Sequence, residues 1–159
     1  MSRRIGLRYM QITGGKELIK ISERFRNRGF ELGAKTYWTC YGDEKTDVTQ
    51  LYVHSGAWAF RINGLNFWLK QLFIPPYTTK EKVKTFEFWH LYFGGVYNII
   101  YNGGLSGDSS NIAWNQDWGK INILPSGAFV NLPAGATIEG FFVQSNASDH
   151  YVDDFSCFG

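Results

Sequence analysis

The chain has 159 residues, of which 44% are hydrophobic, and its formal net charge is +2. These values exclude an intrinsically disordered chain, and the length predicts one domain with its own hydrophobic core. The sequence holds 13 Phe, 9 Tyr, 6 Trp and 18 Gly against 4 Pro, which is typical of a strand-rich protein with many turns. It shows neither a secretory signal nor an apolar run long enough to span a membrane.

The charge is concentrated near the N-terminus. Residues 1–28 contain eight Lys or Arg and two Glu, a net charge of +6, whereas the other 131 residues contain eight basic and twelve acidic groups, a net charge of −4. A basic segment on an acidic body favours attraction between copies of the chain or to another acidic surface. Nucleic acid is an unlikely partner, because the body contains no nucleic-acid-binding motif.

Residues 1–26 are predicted to form an N-terminal arm or hairpin. The segments RIGLRYMQIT (4–13) and KELIKIS (16–22) have extended character and flank Gly14-Gly15, a pair typical of a hairpin turn. A helix over residues 16–31 is the alternative interpretation. An extended arm can add a strand to the sheet edge of a neighbour, although it can equally fold back on its own domain. The residues proposed for subunit contacts are Arg3, Arg4, Arg8 and Tyr9.

Residues 27–159 are predicted to form an all-β, antiparallel β-sandwich of jelly-roll type, since about eight to ten short strands alternate with turn signals. The predicted strands are TYWTCYG (36–42), AWAFRI (57–62), NFWLKQLFI (66–74), VKTFEFWHLYF (83–93), VYNIIYN (96–102), GKINIL (119–124), GAFVNL (127–132), TIEGFFVQS (137–145) and HYVDDFSCF (150–158).

The strand NFWLKQLFI is apolar on both faces. One face carries Phe67, Leu69, Gln71 and Phe73, and the other carries Trp68, Lys70, Leu72 and Ile74. A strand that exposes one face to solvent needs apolar residues on its other face only. Two explanations remain open: the N-terminal segment covers the second face, or that face binds a ligand.

Six separated motifs occur in an order that resembles the jelly-roll carbohydrate-binding modules of xylanases and endoglucanases, which are galactose-binding-domain-like. They are NRGFELG (27–33), YWTCYG (37–42), VHSGAWAFRI (53–62), WLKQLF (68–73), FEFWHLY (86–92) and YVDDFS (151–156). The resemblance covers about residues 27–157 and implies a jelly-roll fold. The matching motifs maintain that fold and lie apart from the variable binding surface, so they do not by themselves imply sugar binding.

The resemblance also implies a structural Ca²⁺ ion. Its ligands here would be Glu31, either Asp153 or Asp154, and backbone carbonyls near His54 and Gly56. Carbonyls at a tight turn suit Ca²⁺, which takes six to eight oxygen ligands. In the alternative interpretation, these carboxylates only bind nearby backbone and solvent. Cys40, Cys157 and the three His residues have no zinc-ligand spacing.

Sugar binding is one functional interpretation, because exposed aromatic rings stack on pyranose rings and amides bind hydroxyl groups. The segment NIAWNQDWG (111–119) is the most suggestive, since loops on a rigid sandwich often carry binding residues. The candidate glycan-binding residues are Trp38, Tyr97, Tyr101, Trp114, Asn115, Gln116 and Trp118. Each of these aromatic residues can instead belong to the core.

Catalysis is not expected. The sequence has no nucleophile elbow, and Asp153 and Asp154 are adjacent on a strand, which points their side chains to opposite faces unless a bulge intervenes. The leading interpretation is a non-catalytic subunit of a virion (decoration or tail protein) or extracellular filament, which self-associates or binds a scaffold protein through its arm. The alternative is a stand-alone glycan-binding module.

Overall fold

A computed structural model of the protein describes residues 9–11, 18–20, 23–92, 94–147 and 149–159. The described strands form two sheets and a separate hairpin. In the hairpin, β1 (Tyr9–Gln11) pairs antiparallel with β2 (Leu18–Lys20). The predicted hairpin is therefore present in these six residues, and its turn lies outside the described residues.

The first sheet has seven strands. They are β3 (Thr39–Tyr41), β6 (Trp68–Leu72), β7 (Thr78–Thr79), β9 (Gly95–Tyr101), β10 (Leu105–Ser106), β11 (Ser110–Ile112) and β13 (Thr137–Ser145). The main path is β10-β9-β13-β6-β3, while β11 pairs with β9 and β7 pairs with β13.

The second sheet has five strands in the order β12-β8-β14-β5-β4. They are β4 (Asp47–Thr49), β5 (Ala59–Ile62), β8 (Thr85–Tyr92), β12 (Asn115–Asn122) and β14 (His150–Phe158). Every ladder between described strands is antiparallel. The predicted all-β jelly-roll sandwich is confirmed.

One predicted strand is wrong. Residues 127–132 were expected to be extended, but Gly127–Val130 forms a short helix, α1. This turn buries the consecutive side chains of Ala128 and Phe129 and exposes Val130, whereas a strand would place Ala128 and Phe129 on opposite faces. A 3₁₀ turn at Lys80–Lys82 is the other helical element described. No helix in the described ranges is long and apolar enough to cross a membrane.

The core between the sheets is rich in aromatic side chains. Phe25 lies at its centre with 1% of its surface exposed, and its ring contacts five other rings. These belong to Trp38, Phe73, Phe86, Phe141 and Phe155. Such aromatic pairs contribute beyond the area that they bury.

Residues 23–26, which were assigned to the arm, belong to the sandwich. The Arg24 N–H donates to the Cys157 carbonyl at 2.8 Å. The Arg26 N–H donates to Gln71 Oε1 at 2.8 Å, and Gln71 Nε2 donates back to the Arg26 carbonyl at 2.9 Å. The boundary predicted at residue 26 is therefore placed too late, because Phe25 and its flanking backbone complete the core.

Candidate functional site

The outer face of the first sheet carries a row of side chains that the strand register brings together. Phe142 of β13 lies between Lys70 of β6 and Asn98 of β9. One row further along, Gln144 lies between Trp68 and Val96. Because alternate residues of a strand share a face, all these side chains point away from the core.

Three aromatic rings form a continuous strip on this face, which we call the aromatic strip. The Tyr41 and Trp68 rings are stacked, with centroids 6.1 Å apart and an interplanar angle of 25°. The Trp68 and Phe142 centroids are 5.7 Å apart. Tyr41 is 57% exposed, so the strip is accessible to a planar ligand.

A groove of about 380 Å³ lies beside the strip. Its lining residues are Lys70, Leu72, Asn98, Ile100, Gly104, Ser106 and Phe142. Its volume lies within the range of small-molecule sites, which combine apolar walls with a few polar groups. Leu72 and Ile100 supply apolar wall, and Lys70, Asn98 and Ser106 supply polar groups. This combination suits a ligand with apolar faces and polar edges.

Asn98 contributes an amide whose polar atoms are incompletely paired. Its Oδ1 is buried and has no hydrogen-bond partner among the described residues. By contrast, the nearby Gln144 donates from Nε2 to Asn66 Oδ1 at 3.0 Å. A buried polar atom without a partner is unfavourable, so a donor in the groove would stabilise Asn98.

The sequence prediction for the aromatic residues needs correction at two positions. Trp38 is 6% exposed, and its indole N–H donates to the Asn27 carbonyl at 3.0 Å. Tyr97 is 3% exposed and packs on Phe88. Both lie in the core between the sheets, so neither can stack on a sugar. Tyr101 is partly buried and packs against the same core.

The other four predicted glycan-binding residues are not among the residues that line the groove. Asn115, Gln116 and Trp118 lie on β12 of the second sheet, and Trp114 precedes that strand with 58% of its surface exposed. The Trp118 ring lies 5.6 Å from the His54 ring. These residues form a separate polar and aromatic surface.

The proposed metal ligands do come together, in a group that we call the carboxylate cluster (Glu31, Asp153 and Asp154). Glu31 accepts the backbone N–H groups of Ala57 at 2.8 Å and Trp58 at 3.1 Å. Its carboxylate therefore holds the end of the turn that leads into β5.

The two Asp residues hold the start of the same turn. Asp153 Oδ2 accepts the N–H groups of His54 at 3.0 Å and Ser55 at 3.3 Å. Asp154 Oδ2 lies 2.7 Å from His54 Nδ1 and accepts the Ser55 hydroxyl at 2.6 Å. The His54 ring also stacks on Trp89, with centroids 3.8 Å apart.

A bulge allows both Asp side chains to reach this turn. The register between β14 and β8 shifts between Asp153 and Ser156, and Asp154 has a φ of 50°. A Cβ on Gly29 would lie 3.0 Å from Asp154 Oδ1 and 3.7 Å from Asp153 Oδ1. Adjacent Asp side chains were expected to point to opposite faces unless a bulge intervened, and here the bulge allows both to reach the same turn.

Burial makes the cluster electrostatically unusual. Asp153 is 0% exposed. Burial, followed by the Asp154 charge, raises its pKa to about 8, although three backbone hydrogen bonds oppose the shift. An oxygen-only donor set of this charge suits Ca²⁺ by ligand type. However, no group of three or more His, Cys, Asp or Glu in the described part of the chain is arranged to hold a metal ion, and these carboxylates clamp the turn by direct hydrogen bonds.

The remaining predicted site residues belong to the arm. Tyr9 is the first residue of β1 and pairs with Lys20 in β2. Arg3, Arg4 and Arg8 lie outside the described residues. Cys40 and Cys157 are free thiols.

The sequence did contain a signal for the groove. Trp68, Lys70 and Leu72 belong to the strand whose two apolar faces required an explanation. Leu72 is 59% exposed, which favours an accessible face over a covered one. Phe142 and Asn98 could not be added from the sequence, because their register with Lys70 depends on two ladders.

Solved structures with the same architecture include sugar-binding modules. TmCBM61, in complex with β-1,4-galactotriose, is 22% identical to this chain, with a TM-score of 0.54. The alignment covers 86% of this chain and 97% of TmCBM61. The C-terminal family 22 carbohydrate-binding module of Clostridium thermocellum Xyn10B is 14% identical, covers 88% and 96%, and has a TM-score of 0.55.

A phage protein shares the fold as well. The enzymatically active domain of bacteriophage CBA120 tailspike protein 4 is 13% identical, with a TM-score of 0.57, over 86% of this chain and 21% of that chain. No family model and no curated protein matches the sequence. At these identities the likeness concerns the fold, which is the jelly roll of carbohydrate-binding modules.

Proposed function

We propose that this protein is a non-catalytic glycan-binding module whose ligand lies along the aromatic strip and groove of the first sheet. The observation that carries the proposal is the strip itself, in which Tyr41, Trp68 and Phe142 follow one another across three strands. Such a surface can stack on the apolar faces of successive sugar rings. Lys70, Asn98 and Gln144 flank the strip and can bind hydroxyl groups.

The shared fold supports this proposal without proving it. TmCBM61 was solved with galactotriose, and the family 22 modules are described as xylan-binding domains. Fold alone does not determine function. The proposal therefore depends on the side chains of this chain, and the ligand of this chain need not be galactan or xylan.

The decisive experiment compares two Trp variants. Wild-type protein is screened on a glycan array and by affinity electrophoresis with soluble polysaccharides. Trp68→Ala should weaken binding at least tenfold, because a well-placed aromatic anchor contributes about 2 kcal/mol or more. Trp114→Ala is the matched control, since it removes an exposed Trp that does not line the groove, and it should leave the affinity unchanged.

Three outcomes would contradict the proposal. Absence of binding to every glycan would refute the function. Loss of binding in Trp114→Ala alone would move the site to the second surface. If both variants lost affinity equally, their thermal unfolding would be compared with that of the wild type. Unchanged unfolding would then refute the groove as the sole binding site.

Assembly is a second proposed function, in which the arm joins the module to copies of itself or to a virion or filament scaffold. Two features support it. The hairpin β1–β2 forms a sheet of its own among the described strands. Residues 1–22 contain five Lys or Arg and one Glu, a net charge of +4, whereas residues 23–159 contain 11 basic and 13 acidic groups, a net charge of −2. A basic hairpin can attach to an acidic surface or to a sheet edge.

The structure defines the deletion that tests assembly. A chain of residues 23–159 keeps Glu23, which accepts the Ser156 hydroxyl at 2.7 Å and the Cys157 N–H at 2.8 Å. Sedimentation velocity of the full chain and of residues 23–159 should show larger species only for the full chain. A monomer in both samples would refute self-association through the arm.

A further inference from the structure

We propose that the groove selects glycans carrying an anionic group, a carboxylate or a sulfate, rather than neutral glycans. This inference rests on the proposed glycan-binding function and concerns the ligand class of the same site. It comes from the charge of the lining and the position of Lys70.

Among the described residues that line the groove, Lys70 is the one that carries a charge. The other lining side chains are apolar or neutral. A ligand carboxylate or sulfate in the groove would therefore meet a cation without a competing protein anion, which favours a charge-assisted hydrogen bond.

The Lys70 ammonium forms no ion pair with any residue that the structure describes. The ion pairs of the described residues join Arg28 to Glu23, His54 to Asp154, Arg61 to Asp149, and Lys120 to Glu87. Lys70 Nζ instead lies 5.4 Å from the centroid of the Trp68 ring. This cation–π contact holds the charge beside the aromatic strip while leaving its N–H donors available.

Lys80 shows the opposite arrangement. Its Nζ donates to the carbonyls of Val130 at 2.9 Å and Leu132 at 2.7 Å, so its role is to hold the chain around α1. Among the described residues, no backbone carbonyl accepts a hydrogen bond from Lys70 Nζ. Among the described contacts of its ammonium, Lys70 therefore keeps only the cation–π contact with Trp68, and its N–H donors are left for a ligand.

The spacing on the strand suits a sugar bearing an anionic substituent. Trp68 and Lys70 are two residues apart on one face, a separation of about 7 Å, and Phe142 lies opposite Lys70 on the next strand. A pyranose stacked on Trp68 or Phe142 would place a substituent of its ring within reach of the ammonium.

Glu139 lies on the same strand as Phe142, and its carboxylate accepts hydrogen bonds from other groups. Glu139 Oε2 accepts the Gly103 N–H at 2.9 Å and the Thr137 hydroxyl at 3.0 Å. It is absent from the described lining of the groove. Its bonds fix the turn at Gly103, and it forms no ion pair with Lys70 in the described part of the chain.

The test uses pairs of polymers that share a backbone and differ in charge. Isothermal titration of the full chain in 150 mM NaCl compares polygalacturonate with its methyl ester, and carrageenan, which carries sulfate alone, with the same carrageenan after chemical desulfation. The first pair detects recognition of carboxylate and the second recognition of sulfate. We expect the anionic member of at least one pair to bind about tenfold more tightly.

Two Lys variants separate the groove from general electrostatics. Lys70→Met keeps the apolar stem and should abolish the preference for the anionic polymer, because it should lower the affinity for that polymer much more than the affinity for the neutral polymer. Lys82→Met, at an exposed position in the 3₁₀ turn, removes the same charge and should preserve the preference. Equal losses in both variants would refute the role of Lys70, because they indicate nonspecific attraction to net charge.

The failures of the two proposals are distinguishable. Equal or stronger binding of both neutral polymers by the wild type would overturn the anionic preference and leave glycan binding intact. Absence of binding to all four polymers and to the glycan array would overturn both.

Discussion

Gly56 lies so close to Glu31 that a Cβ added to Gly56 would be 2.5 Å from the carboxylate carbon of Glu31. The same carboxylate accepts the N–H groups of Ala57 and Trp58. Gly56 also has a φ of +69°. The turn before β5 therefore requires glycine for two reasons, its backbone conformation and the closeness of the Glu31 side chain.

Replacement of Gly56 should destabilise the protein strongly. Gly56→Ala adds the strain of a positive φ, about 1–3 kcal/mol, and forces the Glu31 carboxylate away from its two N–H donors. Urea unfolding should show a loss larger than that of Gly135→Ala, whose φ is +75° but whose Cβ would have no atom within 4 Å. Equal losses in the two variants would mean that the Glu31 contact contributes nothing.

The buried pair His90 and His150 should make the fold sensitive to acid. Their rings are 5.5 Å apart, and both nitrogens of His150 lack a described hydrogen-bond partner. Burial lowers the pKa of His90 to about 4, and burial together with the neighbouring His90 lowers that of His150 to about 3, both from 6.5. The folded protein therefore holds both rings neutral.

The direction of the effect follows from proton binding. Below pH 6.5 the unfolded chain binds protons that the folded chain excludes, so the stability contributed by the neutral rings is present above pH 6.5 and is lost as the pH falls towards 4. Each His contributes a slope of about 1.4 kcal/mol per pH unit in this window. The free energy of unfolding, measured by urea titration from pH 8 to pH 4, tests this.

The control must separate the His pair from Asp153. Burial, followed by the Asp154 charge, raises the pKa of Asp153 to about 8. The contribution of Asp153 to the free energy of unfolding therefore decreases as the pH rises from 3.8 to about 8, which opposes the effect of the two His residues. His90→Phe leaves Asp153 in place. It should reduce the slope of the unfolding free energy against pH, below pH 6.5, by the contribution of one His residue. An unchanged slope would show that His90 is already protonated in the folded state.

Removal of the central aromatic ring should be among the most damaging core changes. Phe25→Ala deletes a fully buried ring that contacts five others, and such deletions cost about 3–5 kcal/mol. Calorimetry should show a large fall in Tm. Leu32→Ala, at a side chain that is 61% exposed, should change stability by less than about 0.5 kcal/mol. A small effect of Phe25→Ala would mean that residues 23–26 do not complete the core.

Calcium binding is testable at the carboxylate cluster. If Ca²⁺ binds the folded state alone, adding it to chelator-treated protein should raise the Tm, because a ligand of the folded state stabilises by mass action. Glu31→Gln should reduce that increase, whereas Glu44→Gln, at an exposed residue, should not. An unchanged Tm over millimolar Ca²⁺ would refute the proposed ion and leave the hydrogen bonds as the sole clamp of the turn.

Part of the candidate site could be read from the sequence. The motifs NRGFELG, VHSGAWAFRI and YVDDFS led to Glu31, His54 and Asp153, which the structure brings within hydrogen-bonding contact of one turn. The bulge at Asp154 was not predictable, because a register shift depends on the partner strand. The groove was missed for a similar reason, since Asn98, Phe142 and Lys70 are adjacent only through pairing of β9, β13 and β6.

The sequence by itself determined the long central strands and the class of fold. Runs rich in aromatic and β-branched residues with turn residues at their ends defined β13 and β14, whose bounds match Thr137–Ser145 and His150–Phe158, because strand preference and turn signals are local properties of the sequence. Only the tertiary structure decided which aromatic residues are accessible. Trp38 and Trp68 both belong to aromatic strand segments, yet Trp38 packs on Phe25 inside the sandwich and Trp68 lies on the outer face, because exposure depends on which face the opposing sheet covers.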